Sequence, residues 1–190
     1  MQYGFVHESK NCTGCQACQI ACKDKHDNEV GENFRRVKEY EQGGFNSPQG
    51  MGFIQNVRVY NVSISCNHCA DPKCVKNCPS GAMQKNPDTG IVSVNQDICI
   101  GCGYCAMSCP YGAPQMNVKK GVMGKCDFCQ DLLAKGQDPA CVAACPLHLL
   151  HYGELTELEK KYPGVKATKD MPDPEITHPS LILMPHKNAL

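Results

Sequence analysis

The 16 cysteines of this 190-residue chain fall into four groups of four, and that grouping limits what the chain can become more than any other feature. The groups are Cys12, Cys15, Cys18 and Cys22 in "CTGCQACQIAC"; Cys66, Cys69, Cys74 and Cys78 in "CNHCADPKCVKNC"; Cys99, Cys102, Cys105 and Cys109 in "CIGCGYCAMSC"; and Cys126, Cys129, Cys141 and Cys145 in "CDFC" and "CVAAC". Each opens with C-x2-C and closes with C-x3-C. Between them lies a gap of two residues in the first and third groups, four in the second and eleven in the fourth. Pro79, Pro110 and Pro146 follow the last cysteine of three groups, and Lys23 follows the first. A small loop-and-helix unit is therefore repeated four times, with its middle loop lengthened twice.

Four thiolates saturate one metal centre, so each group could serve one centre or be shared between two. C-x2-C-x2-C-x3-C-P is the bacterial iron–sulfur run, in which three cysteines hold one cubane and the fourth ligates the other cluster of a pair. Reach explains this: three thiolates sit on one tight loop, and the fourth lies on the helix leaving it. The proline that follows lacks an N–H and redirects the chain. The expectation is that Cys66, Cys69 and Cys74 share a cluster with Cys109, and Cys99, Cys102 and Cys105 share one with Cys78. The outer groups then pair, Cys12, Cys15 and Cys18 with Cys145, and Cys126, Cys129 and Cys141 with Cys22. Sixteen thiolates would fill four 4Fe–4S clusters. Zinc is the competing reading, since all-cysteine zinc sites use two separated C-x2-C knuckles. The fourth group could pass for one. Three cysteines at i, i+3 and i+6 crowd one side of a tetrahedral ion, which disfavours zinc for the first and third.

Composition agrees with metal-assisted folding. There is no Trp, and Phe and Tyr are few, so the apolar inventory is thin and ligation free energy would supply folding free energy. Formal net charge is zero, which gives no basic field for nucleic acid. Residues 1–25 show no basic start followed by an apolar segment, so secreted disulfides are not expected. No stretch approaches the apolar length of a membrane span.

Between the groups, Val57–Ile64 reads as an alternating strand that could pair with Phe34–Tyr40 across a Gly-rich loop at 41–53. "GMGF" at Gly50–Phe53 reads as loop. A turn at Asp88–Gly90 precedes a strand, Gly153–Tyr162 reads as a terminal helix, and the tail reads as extended, lying against another surface or loosely ordered. His68 is expected around a cluster or at the surface rather than as a ligand. Tyr104 and Tyr111 are expected to pack on a cluster. Lys73, Lys76, Lys119, Lys120 and Lys125 either balance cluster charge or line solvated faces. No dinucleotide or phosphate loop and no nucleophile–base pair stands out, so no catalytic residue is expected.

The stretches "QYGF", "CTGCQACQIACKD", "FRRVKEYE", "SISCNHCADPKCVKNCPSGAM", "CIGCGYCAMSCPYGAPQ", "KCDFC" and "PACVAACPL" cover most of residues 2–150. In them the chain resembles the four-cluster iron–sulfur subunits of the anaerobic dimethyl sulfoxide reductase and wider molybdopterin oxidoreductase family. The resemblance implies the same crossed ligation, and, with four cysteines in the third group, four 4Fe–4S clusters rather than one 3Fe–4S. It implies electron transfer from a quinol-oxidising membrane anchor subunit to a molybdopterin catalytic subunit, with no substrate site in this chain. The Cys99 group would face the membrane partner and the Cys12/Cys126 pair the catalytic chain. Membrane association would come only through partners, at the periplasmic face by co-export, with the cytoplasmic face as the alternative. Relatives serving polysulfide, thiosulfate, tetrathionate, arsenate, nitrite or formate enzymes share the pattern, and a free polyferredoxin is the other alternative. The expected fold is α+β: two ferredoxin-like two-cluster modules related by pseudo-symmetry. Residues 55–118 form the inner one, and 1–30 with 119–160 the outer one. Residues 31–54 are an inserted hairpin and 161–190 a tail.

Overall fold

The computed structural model describes residues 1–47 and 52–189. Its elements are short and mixed. In chain order they are β1 (Tyr3–His7), α1 (Ala17–Lys25), β2 (Arg36–Gln42), β3 (Phe45–Asn46), β4 (Ile54–Gln55), β5 (Arg58–Ile64), α2 (Lys73–Lys76), β6 (Met83–Lys85) and β7 (Val92–Val94). There follow α3 (Tyr104–Ser108), β8 (Gln115–Asn117), β9 (Val122–Gly124), α4 (Gln130–Leu133), α5 (Ala140–Ala143), β10 (Leu150–Glu154), α6 (Leu155–Lys161) and β11 (Leu181–Leu183). The third cysteine of each group lies on α1, α2, α3 or α5, and the fourth lies one turn further along. α1 packs on α5 and α2 on α3, so the chain's first and last groups are neighbours, as are its two middle ones.

β2 and β5 form the longest ladder, antiparallel from Arg36↔Ile64 to Gln42↔Arg58, with β3 and β4 paired beyond it. The hairpin therefore continues past the expected border at residue 54 and supplies the strand that leads directly into Cys66. From Tyr60 to Ile64 every residue of β5 is buried. The expected alternation is lost because this strand has protein on both faces. The "GMGF" reading falls partly outside the described residues; Gly52 and Phe53 carry no regular structure.

A two-stranded hairpin follows each middle group, β6–β7 and β8–β9. In the first, Asn86 Oδ1 accepts from the Asp88 and Thr89 N–H groups at 2.8 and 3.1 Å, a side-chain-capped turn. The second hairpin had no counterpart in the sequence reading. Gly153 and Glu154 pair with Gly4 and Tyr3 in the β1–β10 ladder, so the helix expected from Gly153 begins at Leu155. The tail is extended and lies against its own chain: β11 runs parallel to β1, and Leu181, Ile182 and Leu183 are buried. The resulting sheet, in the order β10–β1–β11, ties both ends of the chain together.

The core is partly sulfur. Phe5 stacks on Phe128 at 4.1 Å, and the apolar residues around that pair pack with Cys18, Cys22, Cys66, Cys126 and Cys141. A smaller cluster joins Cys74 and Cys105 to Met83, Val92 and Met123.

Candidate iron–sulfur centres

The four C-x2-C loops share one backbone device. The residue immediately before the second cysteine has a positive φ in every group: Gly14 at 73°, His68 at 41°, Gly101 at 65° and Phe128 at 67°. Turns of this kind aim successive N–H groups at a common centre and favour an anion there. Glycine takes the conformation without strain. For His68 and Phe128 it costs roughly 1–3 kcal/mol, which packing offsets. Phe128 is fully buried against Phe5, and His68 Nδ1 accepts from the Val92 N–H at 3.0 Å.

The sulfurs converge in fours. Cys12, Cys15, Cys18 and Cys145 line one small pocket. Cys78, Cys99, Cys102 and Cys105 line another. Burial, then the neighbouring Cys66 and Cys109, push the thiols of Cys69 and Cys74 up to about 12. Burial, with Asp127, Cys141 and Cys22 nearby, does the same for Cys129, and burial with Cys22 and Cys66 nearby also raises Cys126 well above the ordinary value. The two pocket-lining sets each draw three cysteines from one group and one from another. None of the sixteen is in a disulfide. Crowded, buried thiols resist ionisation on their own; a bound metal makes them thiolates and recovers the cost. The donor set therefore fits metal.

The sets also adjoin one another in succession. Cys141 feels Cys18 of the first set, and Cys126 feels Cys66 of the next. α2 carries Cys74 of that set and leads into Cys78 of the last. Only Cys15 and Cys102 are exposed, one in each end set.

Backbone N–H groups return to the sulfurs. Met83 donates to Cys78 at 3.4 Å, Ala113 to Cys109 at 3.5 Å, Met123 to Cys99 at 3.4 Å and Leu149 to Cys145 at 3.3 Å. Three of these follow the proline turns, which fold the backbone over the closing cysteine. Burial opposes ionisation of Cys78, yet the Met83 N–H and the Ser80 hydroxyl hold its thiol below the ordinary value. Where Lys23 replaces proline, α1 runs on, and the His26 ring stands 3.8 Å from the Cys22 sulfur instead. His26 also pairs with Asp127 at 3.0 Å. Burial opposes its charge, but Asp127 and Cys22 raise its pKa to about 10.

The remaining candidates separate by burial. His68 is fully buried rather than at the surface. Tyr111 is half-buried, its hydroxyl 3.2 Å from that of Thr177. Tyr104 is 53% exposed, two residues from exposed Cys102. Lys73 and Lys76 pair with Asp71 and Lys119 with Glu29, and Lys120 is exposed. Lys125 alone of the five is buried, at 3%. Arg35, 2% exposed, was missed in the sequence. Nothing local in "FRRV" marks it as buried; the β2–β5 ladder and the cysteine loops enclose it.

Convergent cysteine fours on N–H-rich turns define a protein of the ferredoxin type. Residues 57–155 match the 4Fe-4S dicluster domain family and residues 9–29 the 4Fe-4S binding domain family. The B subunit of anaerobic dimethyl sulfoxide reductase from Haemophilus influenzae is 50% identical over 99% of this sequence and 91% of its own length. Its Escherichia coli counterpart is 49% identical over the same shares, and the B subunit of Wolinella succinogenes polysulfide reductase is 37% identical over 99% and 96%. The protein belongs to this family of B subunits, the iron–sulfur electron-transfer subunits of anaerobic dimethyl sulfoxide reductases and related enzymes. Among the described residues no helix is long and apolar enough to cross a membrane.

Proposed function

We propose that this chain carries electrons, one at a time, from a quinol-oxidising membrane subunit to a molybdopterin catalytic subunit of the dimethyl sulfoxide-reducing kind. A 4Fe–4S cluster supplies a one-electron acceptor and donor whose potential the surrounding protein sets. Cys12, Cys15, Cys18 and Cys145 would hold the first; Cys22, Cys126, Cys129 and Cys141 the second; Cys66, Cys69, Cys74 and Cys109 the third; Cys78, Cys99, Cys102 and Cys105 the fourth. The observation that carries this reading is the succession of adjoining sulfur sets, with exposed cysteines only in the first and the last. A carrier between two partners needs its inner centres buried and its end centres near the surface.

The 50% identity to a dimethyl sulfoxide reductase subunit, against 37% to a polysulfide reductase subunit, supports the former substrate. By resemblance the Cys102 end faces the membrane partner, on the periplasmic side, and the Cys15 end the catalytic chain. The sulfur sets divide the chain into an inner pair and an outer pair. The packing of α1 on α5 and of α2 on α3 supports two ferredoxin-like modules related by pseudo-symmetry. The native complex, purified anaerobically, should contain this chain, a molybdenum-bearing chain that reduces dimethyl sulfoxide, and about sixteen irons with as much acid-labile sulfide per copy of this chain. A complex without molybdenum, or iron without sulfide, would contradict the reading.

A further inference from the structure

Two buried cations stand where adjoining sulfur sets meet. Arg35 donates to Ser63 Oγ at 3.1 Å and to Ser65 Oγ at 3.0 Å, and its Cζ lies 4.9 Å over the Phe5 ring. Its Nε has no hydrogen-bond partner. Burial disfavours its charge, but Cys141, Cys18, Cys126 and Cys22 together raise its pKa above the ordinary arginine value. The same Ser63 Oγ lies 3.3 Å from the Cys18 sulfur, and Phe5 beneath the guanidinium packs in one cluster with Cys22, Cys126 and Cys141, so Arg35 stands where the first and second sets meet. Lys125 donates to the Val92 carbonyl and, at 2.7 Å, to the Cys126 carbonyl. Val92 packs against Cys74, so these two bonds place Lys125 between the third set and the second. Among the described residues neither cation has a carboxylate within ion-pair distance. An unpaired buried cation is strongly disfavoured, so each calls for a counter-charge among the sulfurs.

We propose that Arg35 and Lys125 are built-in counter-charges of the inner centres, and that Arg35 holds up the reduction potential of the Cys22, Cys126, Cys129 and Cys141 centre. This rests on the cluster assignment above. A cluster with four thiolates carries net negative charge, and net charge sets potential. Adding one electron makes that charge more negative, with no bond broken and no proton required. A fixed cation close by favours the reduced form, and because the pair is buried the effect is weakly screened. Lys125 acts likewise from the other side, on the second and third centres together. Of the other lysines near the loops, Lys73, Lys76 and Lys119 have carboxylate partners, Lys120 is exposed to solvent, and Lys85, which donates to the Cys69 carbonyl at 3.1 Å, is only half-buried.

The test is redox titration of the full chain in its native complex, followed cluster by cluster by electron paramagnetic resonance. Arg35→Gln should shift the second centre's reduction equilibrium about tenfold toward the oxidised form, or about 59 mV for one electron. Arg35→Lys, which keeps the charge, should shift it far less. Lys125→Met should lower the second and third centres, and exposed Lys160→Gln should move none. If Arg35→Gln prevents loading while Arg35→Lys loads four clusters, charge is again the requirement. Unchanged potentials in a fully loaded Arg35→Gln chain would overturn the inference. So would equal failure of Gln and Lys variants to load, since shape rather than charge would then matter. A wild-type chain without four clusters would instead overturn the assignment beneath it.

Discussion

Gly101 shows how little freedom a cluster loop has. Its φ is +65°, and a Cβ built there would lie 2.3 Å from the Gly121 carbonyl oxygen. Gly101→Ala should therefore cost about 1–2 kcal/mol for the left-handed conformation, plus whatever displacing the β8–β9 turn requires. Gly31→Ala also meets a positive φ, but nothing lies within 4 Å of its Cβ, so only the conformational part should appear. Iron content per chain and the denaturation midpoint, read from visible absorbance, check this. Equal behaviour of the two variants would contradict the packing argument. At this scale the sequence was legible where chemistry repeats: the gathering of the cysteines in fours follows from spacing. Ligation itself is the reading proposed above. Arg35 was not legible, because burial of a lone arginine is created by segments up to about a hundred residues away, and local pattern carries no trace of them.

At the scale of elements, the legible parts were those with a local cause. The β2–β5 ladder has Val-rich alternation, and the β6–β7 turn has an Asn–Pro–Asp–Thr–Gly sequence. β8 and β9 are three residues each, partly polar, and so fall below any detectable period. The start of α6 was misplaced because Gly153 and Glu154 serve a ladder with β1, a tertiary override of local helix preference. β11 is the least legible of all. "SLILMP" is apolar, but only β1 decides where it lies. Its burial makes a prediction: Ile182→Ala should destabilise the loaded protein by roughly 2–5 kcal/mol. A change well below that in a denaturant titration would mean that the tail is not part of the folded unit. A second expectation concerns crossing between helices. Cys145→Ser should strip or convert the centre of Cys12, Cys15 and Cys18 while sparing that of Cys126, Cys129 and Cys141. Paramagnetic resonance of the variant distinguishes the two, and loss of the latter alone would refute the crossed assignment.

The whole molecule is held together by short ladders, a small aromatic cluster and sulfur. With cysteines forming much of the core, removing iron and sulfide should leave too little apolar burial to offset chain entropy. The apo-protein should then be largely unfolded, and a cooperative thermal transition by circular dichroism after anaerobic cluster removal would contradict this. The central claim is that electrons enter at the set of Cys102 and leave from the set of Cys15. Cys102, exposed in the last set, is the place to test it. Cys102→Ser removes one thiolate of four, so the cluster should persist as 3Fe–4S with a shifted potential, and the other three should keep the fold. In the native complex, quinol-driven reduction of dimethyl sulfoxide should fall about tenfold or more. Turnover driven by a small reduced dye that reaches the catalytic chain directly should be largely kept. If both rates fall together in a fully assembled complex, or if neither falls, the centre at Cys102 is not where electrons enter and the account is wrong.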